Sequence, residues 1–229
     1  MYSTDVIFQL LLQNILHENV EVVKFYCAAL LTTTIRDMKF KHILYWLMVH
    51  KVNIVYIEFI LSFNLIDINM IDEYTNENIL FYVAKENLME YAKLLIEKDI
   101  NINQYSLSND SAFLWAIYYR HTDMVNILMS YNVDLYHCYR DGKNSFMWAT
   151  FRNSYSIFKL LKPFIKEIHL QDNKGNDIYT LTSNNIIKQE IKELVYLNII
   201  YLYNYFHSYY FDLKEYNILL LIRYYYSNL

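Results

Sequence analysis

The sequence predicts an all-α solenoid: helix-turn-helix units with short hairpin arms, closed by C-terminal helices. Three observations carry this. One pattern recurs at a constant interval, starting at Asn78, at Ser111 and again at Asn144. Each unit holds two short apolar segments at helical spacing. With only 2 Gly and 1 Pro in 229 residues, a fold of many tight β-turns is disfavoured.

Residues 1–43 read as a degenerate N-terminal cap, because a terminal repeat meets water on one face. Within them "ENVEVVKFYC" (Glu18 to Cys27) matches the second half of a unit, and "TTTIRDMKFKH" after Leu31 interrupts the period. The array proper spans 44–194, with units starting near 44, 78, 111, 144 and 177. The first includes "NIVYIEFILSFNLIDIN", whose closing "DIN" matches the "NIN" of Asn101 to Asn103.

The three central units align as "NILFYVAKENLMEYAKLLIEKDININ", "SAFLWAIYYRHTDMVNILMSYNVDLY" and "NSFMWATFRNSYSIFKLLKPFIKEIH". Leu80, Phe113 and Phe146 coincide, as do the small Val83, Ala116 and Ala149. Ala92, Val125 and Phe158 coincide and are followed by Leu94-Leu95, Ile127-Leu128 and Leu160-Leu161. Ile102, Leu135 and Ile168 close the units. In the unit at Ser111, Phe113, Ala116 and Ile117 share one helix face, and Met124, Ile127 and Leu128 share another. Tight corners fall at Asn87, Arg120 and Asn153. Helix ends fall at Asp99, Asn132 and Ile165. Asn and Asp tolerate a left-handed backbone and can end helices where Gly is scarce. Ile165 cannot do so cheaply, and Pro163 sits two residues earlier, so an altered end is expected there.

"DNKGNDIYTL" opens a last unit that degrades through "IIKQEIKELV". Residues 195–229 then read as an apolar, Tyr-rich helical cap. Leu194 to Phe211 is 18 residues without a formal charge, near the length of a membrane span. Asn198, Asn204, His207 and Ser208 are costly in hydrocarbon.

These units resemble the ankyrin repeat. The family's unit opens with a Gly-x-Thr-Pro-Leu-His-x-Ala segment, continues with a Val-Val-x-x-Leu-Leu helix and closes with a Gly-Ala-Asp-Val-Asn arm. Its period, about 33 residues, is the interval between the three starts. "GKNSFMWAT" and "GNDIYTL" keep the Gly. "VEVVKFY" and "AKLLIEKDININ" keep the second helix and arm. Ile79, Ala112 and Ser145 replace the Pro, and Phe81, Leu114 and Met147 replace the His. Asn78, Ser111 and Asn144 replace the Thr yet remain competent helix N-caps.

The resemblance implies a non-catalytic scaffold that holds a protein partner on a concave face. It places the contact positions just before the first helix and at its end. Lys85, Glu86, Asp110, Arg140 and Lys143 stand at such positions. So do Tyr118, Tyr119, Phe151 and Arg152, whose residue types favour interface hot spots. With 25 Tyr in the chain, part of this enrichment follows the Ile, Asn, Lys and Tyr bias of an AT-rich genome. The alternative reading is a membrane-associated ankyrin protein anchored through 194–211.

Other chemistry finds little support. The net charge of -4 gives no footprint for nucleic acid. No phosphate-loop motif, paired-His metal motif or nucleophile with a base occurs. No catalytic residue, metal, cofactor or small-molecule substrate is therefore expected. Cys27 and Cys138 imply no disulfide framework, which suits a reducing cytoplasm. A monomer is expected.

Overall fold

The computed structural model describes residues 10, 13–14, 21–22, 25, 43–49, 51–62, 67–166, 168 and 170–209, with side chains to residue 201. Most of the expected cap at 1–43 lies outside them, as does the tail beyond 209. The chain divides into two compact units, Met1–Val133 and Asp134–Leu229, and each is described by itself.

The first unit contains α1 (Ile43–Val49), α2 (Ile54–Leu61), α3 (Ile79–Lys85), α4 (Met89–Glu97), α5 (Ala112–Tyr118) and α6 (Thr122–Met129). First helices pack on first helices, α1 on α3 on α5. Second helices do likewise, α2 on α4 on α6. The second unit contains α7 (Ser145–Phe151), α8 (Tyr155–Leu161), a 3-10 turn (Lys162–Phe164) and α9 (Asn185–Tyr209). Among the described residues no strand forms, and the hairpin arms leave one isolated bridge, Tyr105 to Ser111.

The period is visible in the helix starts. α3, α5 and α7 begin at equal intervals, at Ile79, Ala112 and Ser145, and α4, α6 and α8 keep the same interval. Short helices of this length do not form alone in water, so caps and packing must fix them. The first helices α3, α5 and α7 each have a side-chain cap. Asn78 Oδ1 accepts from Leu80 N–H, Ser111 Oγ from Leu114 N–H, and Asn144 Oδ1 from Met147 N–H. The substitution of Thr by Asn or Ser thus keeps the physical role.

The corners are Schellman turns built without Gly. Asn87, Arg120 and Asn153 all adopt positive φ, at 55°, 62° and 51°. In the first, Asn87 N–H reaches Ala84 O and Leu88 N–H reaches Val83 O. Arg120 with His121, and Asn153 with Ser154, repeat the pair. Two hydrogen bonds per corner satisfy carbonyls that the helix end would otherwise leave open. Lys51 and Asp99 end α1 and α4 in the same way. Ile165 differs, as its side chain requires. Its φ is −71°, and α8 runs out through the 3-10 turn that holds Pro163.

The core follows the aligned positions. Leu80, Phe113 and Phe146 are buried, as are Val83, Ala116 and Ala149, and Ala92, Val125 and Phe158. The arms bury other positions. Ile102 and Leu135 are only half-buried, whereas Ile100 and Val133, two residues earlier, are buried. The cause is the left-handed residue before them. Ile100 N–H bonds to Leu95 O, which turns the Ile100 side chain back onto the helix it follows.

The last unit is further degraded. Asp177 Oδ1 accepts from Tyr179 and Thr180 N–H, but only one helical turn follows it. Asn184 then caps α9 through Ile186 N–H. Ile187, Ile191 and Val195 lie one turn apart and pack with Met147, Phe158, Ile168 and Ile178. The expected division between 194 and 195 falls inside this helix. Among the described residues no helix is long and apolar enough to cross a membrane. Residues 210 and 211 of the segment 194–211 lie outside them.

Candidate functional site

First helices present an aromatic face at constant register. Tyr82, Trp115 and Trp148 occupy equivalent positions in successive repeats. Three residues on, one turn along the same face, stand Lys85, Tyr118 and Phe151. In the first unit Trp115 meets Tyr118 edge-on at 5.6 Å and stacks on Tyr119 at 5.8 Å. Tyr119 stacks in turn on His121 at 5.9 Å. His121 Nε2 lies 3.0 Å from the Lys85 carbonyl, so the end of α5 is tied to the end of α3. Upstream, Tyr82 meets Tyr45 edge-on at 4.8 Å.

Hairpin tips stand next to this face. The tip 106–110 is closed by Ser106 N–H to Asp110 O, and Leu107 N–H reaches Thr75 O on the preceding tip. Ser106 Oγ accepts from Ser108 and Asp110 N–H, and Asp72 Oδ1 accepts from Tyr74 and Thr75 N–H. These short side chains hold the tips open without Gly. The tips expose large apolar groups, Leu107 at 73% and Tyr74 at 61%. Glu77 sits among like charges. Burial, then Asp110 and Asp72, push its carboxyl above the ordinary range, against the pull of Lys85.

In the second unit the same register carries a charged cluster. Lys143 Nζ lies 3.0 Å from Asp141 Oδ2 and 3.0 Å from Asp172 Oδ2. The ammonium also stands 5.5 Å from the Trp148 ring centre and 5.3 Å from that of Phe151. Those two rings meet edge-on at 5.4 Å. Burial works to raise the Asp172 carboxyl, but N–H groups of Asn176 and Lys174 and the Lys143 ammonium hold it far below the usual carboxylate range. Burial works to lower the Lys143 ammonium, and the two carboxylates outweigh it and raise it. Gly142, at φ +79°, lets Asn173 approach, and a Cβ there would stand 2.4 Å from Asn173 Oδ1. Asn173 donates through its backbone to Asp141 O and through Nδ2 to Arg140 O.

The expected contact residues fall out unevenly. Lys85 and Glu86 are exposed at the end of α3, and Asp110 is half-buried just before the Ser111 cap. Tyr118 is half-buried, and Tyr119 is 40% exposed. In the second unit Arg140 is exposed, Arg152 half-buried and Phe151 45% exposed. Lys143 is 7% exposed and is held by Asp141 and Asp172. Tyr118 with Tyr119, and Phe151 with Lys143, are brought together within their own units.

Sequence reading passed over Tyr82, Trp115 and Trp148. The signal was available, as an aromatic residue recurring at the repeat spacing. Among the described residues no group of three or more His, Cys, Asp or Glu could hold a metal ion.

No curated protein matches the chain. Residues 41–137 match the family model for ankyrin repeats, three copies. That span holds α1 to α6, and the same capped helices and left-handed corners recur at the same interval through α7 and α8. On the matched repeats and the geometry they share, residues 41–137 are ankyrin repeats.

Proposed function

We propose that the chain is a non-catalytic adaptor that holds a protein partner on its first-helix face and hairpin tips. Ankyrin repeats serve generally as protein–protein interaction modules. The observation that carries the finer reading is the aromatic face. Trp115, Tyr118 and Tyr119 form one ring cluster at the end of α5. Large, stiff rings partly open to water are the groups that dominate binding energy at interfaces.

The contact residues in this reading are Tyr118, Tyr119, Lys85, Glu86 and Asp110 in the first unit, and Phe151, Arg152 and Arg140 in the second. Lys143 enters as a support beneath Phe151, since its ammonium is covered. A monomer in a reducing cytoplasm suits this role.

Affinity capture with the Tyr118→Ala, Arg152→Ala double variant tests the reading. Loss of a captured partner with unchanged helical circular dichroism is expected. Truncating a hot-spot aromatic costs about 2 kcal/mol, or roughly thirtyfold in affinity. Undiminished capture would refute the assigned face.

A further inference from the structure

In the second unit one hairpin tip docks on the other through a seat made by glycine. The tip 139–143 is closed by Tyr139 N–H to Lys143 O, and the tip 172–176 by Asp172 N–H to Asn176 O. Asn173 is the residue that docks. Its backbone N–H donates to Asp141 O at 3.0 Å, and its Nδ2 donates to Arg140 O at 3.0 Å. Its side chain lies against Gly142, where an added Cβ would stand 2.4 Å from Asn173 Oδ1. In the first unit Leu107 N–H makes the same backbone rung to Thr75 O on the tip before it.

The tip 172–176 offers the seat again. Gly175 has the φ of Gly142, +79°. Gly142 N–H reaches Tyr139 O, and Gly175 N–H reaches Asp172 O in the same way. The carbonyls in the places of Arg140 O and Asp141 O are those of Asn173 and Lys174. Among the described residues no donor reaches either carbonyl, and nothing stands within 4 Å of a Cβ added at Gly175. Asp141 and Gly142 are half-buried, whereas Lys174 and Gly175 are exposed. Among the described residues no further tip follows, because one period on the chain lies inside α9, which runs to Tyr209.

From this we infer that the seat at Gly175 takes an asparagine from a turn of the protein partner, its backbone N–H on Lys174 O and its side-chain amide on Asn173 O. It rests on the adaptor reading above and names the partner's chemistry at one tip.

Three features favour that occupant. The seat is preformed. Asp172 Oδ1 accepts from Lys174 and Asn176 N–H, and its Oδ2 is held by the covered ammonium of Lys143. The tip therefore keeps its shape without an occupant, and little ordering is left to binding. The seat is also selective. Both of its polar groups are acceptors, so the occupant must bring two donors. Asn supplies both from one residue, whereas Asp would set a carboxylate against a carbonyl. Finally, docking there continues the tip-to-tip contact that Asn173 already makes within the unit.

The test uses the full chain labelled with nitrogen-15 and a cyclised peptide that copies residues 170–177, LQDNKGND. The readout is the amide spectrum, in which Gly142 and Gly175 are the chain's two glycines. Millimolar peptide is expected to shift the Gly175 and Lys174 amides saturably and to leave Gly142, whose seat is filled, in place. Replacing the first Asn of the peptide by Ala should weaken binding by about fivefold, the worth of one amide hydrogen bond. Gly175→Ala, which puts a Cβ into the seat, should abolish it. Should Gly175→Ala lose its helical signal, the Asn and Ala peptides on the parent chain still decide. Equal binding of the two peptides, an equal shift at Gly142, or no shift at all would overturn the inference. So would a Gly175 amide that moves in Asn217→Ala, Asn228→Ala before peptide is added, since the chain's own tail would then fill the seat. A Gly175 amide that moves on dilution would overturn it in favour of a second copy. A captured partner lost in Tyr118→Ala, Arg152→Ala yet indifferent to Gly175→Ala would overturn the seat and leave the adaptor standing.

Discussion

Gly142 and Gly175 offer a matched pair of perturbations. Both have φ +79°, and both end hairpin tips of the same shape, 139–143 and 172–176. Ala at either position bears the left-handed cost, about 1–2 kcal/mol. It recovers about 0.4–1 kcal/mol because the unfolded chain is stiffer than with Gly. Gly175→Ala should therefore cost about 1 kcal/mol or less, since nothing stands within 4 Å of its added Cβ. At Gly142 the Cβ would meet Asn173 Oδ1 at 2.4 Å and Asn173 N at 2.8 Å. Asn173 must move, and its two bonds to Asp141 O and Arg140 O go with it. At about 0.5–1.5 kcal/mol each, they add about 1–3 kcal/mol. The gap between the variants should be about 2 kcal/mol, or roughly 4–8 °C in Tm for a chain of this length. Thermal melts followed by far-ultraviolet circular dichroism measure it. Equal melting of the two variants would refute the close approach of the tips.

Two further predictions follow from the core and the charged cluster. Phe113 is fully buried, so Phe113→Asp leaves an unpaired charge between helices at a cost of several kcal/mol, and helicity should collapse in the first unit; a stably helical variant would sink the repeat register. Asp172→Ala strips a covered ammonium of one partner, and because the cluster lies under a hairpin tip near water, the cost should be about 2–3 kcal/mol, below the range for deep pairs. Since the Asp172 carboxyl is depressed on folding, its contribution is full above the unfolded value near 3.9 and is lost as pH falls through the folded value. Urea midpoints from pH 7 downward should therefore fall more steeply in the parent chain than in Asp172→Asn, and parallel curves would refute it.

How much of this was legible depends on the range of the interaction. Phe113, Ala116 and Val125 were readable as core because burial there follows from a local period. So were the caps at Asn78, Ser111 and Asn144, and the altered end at Ile165, each decided within a few residues. The burial of Ile100 and Val133 was not read from the sequence, because the left-handed turn at Asp99 redirects Ile100 and leaves no mark on hydrophobic period. The covering of Lys143 was not legible, since it depends on Asp172, which reaches it from the next hairpin tip. Likewise α9 runs 25 residues where a broken unit and a separate cap were expected. Its Ile187, Ile191 and Val195 continue one face across that boundary.

The frame and the face of this array obey different constraints. Each repeat must satisfy the same backbone groups at the same places, so Asn78, Ser111 and Asn144 are chemically alike, and so are the left-handed Asn87, Arg120 and Asn153 in conformation. Nothing in the backbone requires the neighbouring position to be acidic or basic. There Glu77, Asp110 and Lys143 differ in charge while the helix behind them does not move in register. In the second unit the lysine lies on its own aromatic pair and is held by two carboxylates, which covers the rings from one side. In the first unit Asp110 occupies the lysine's position in the repeat. A reversal of sign at one frame position thus leaves the caps and corners beside it unchanged.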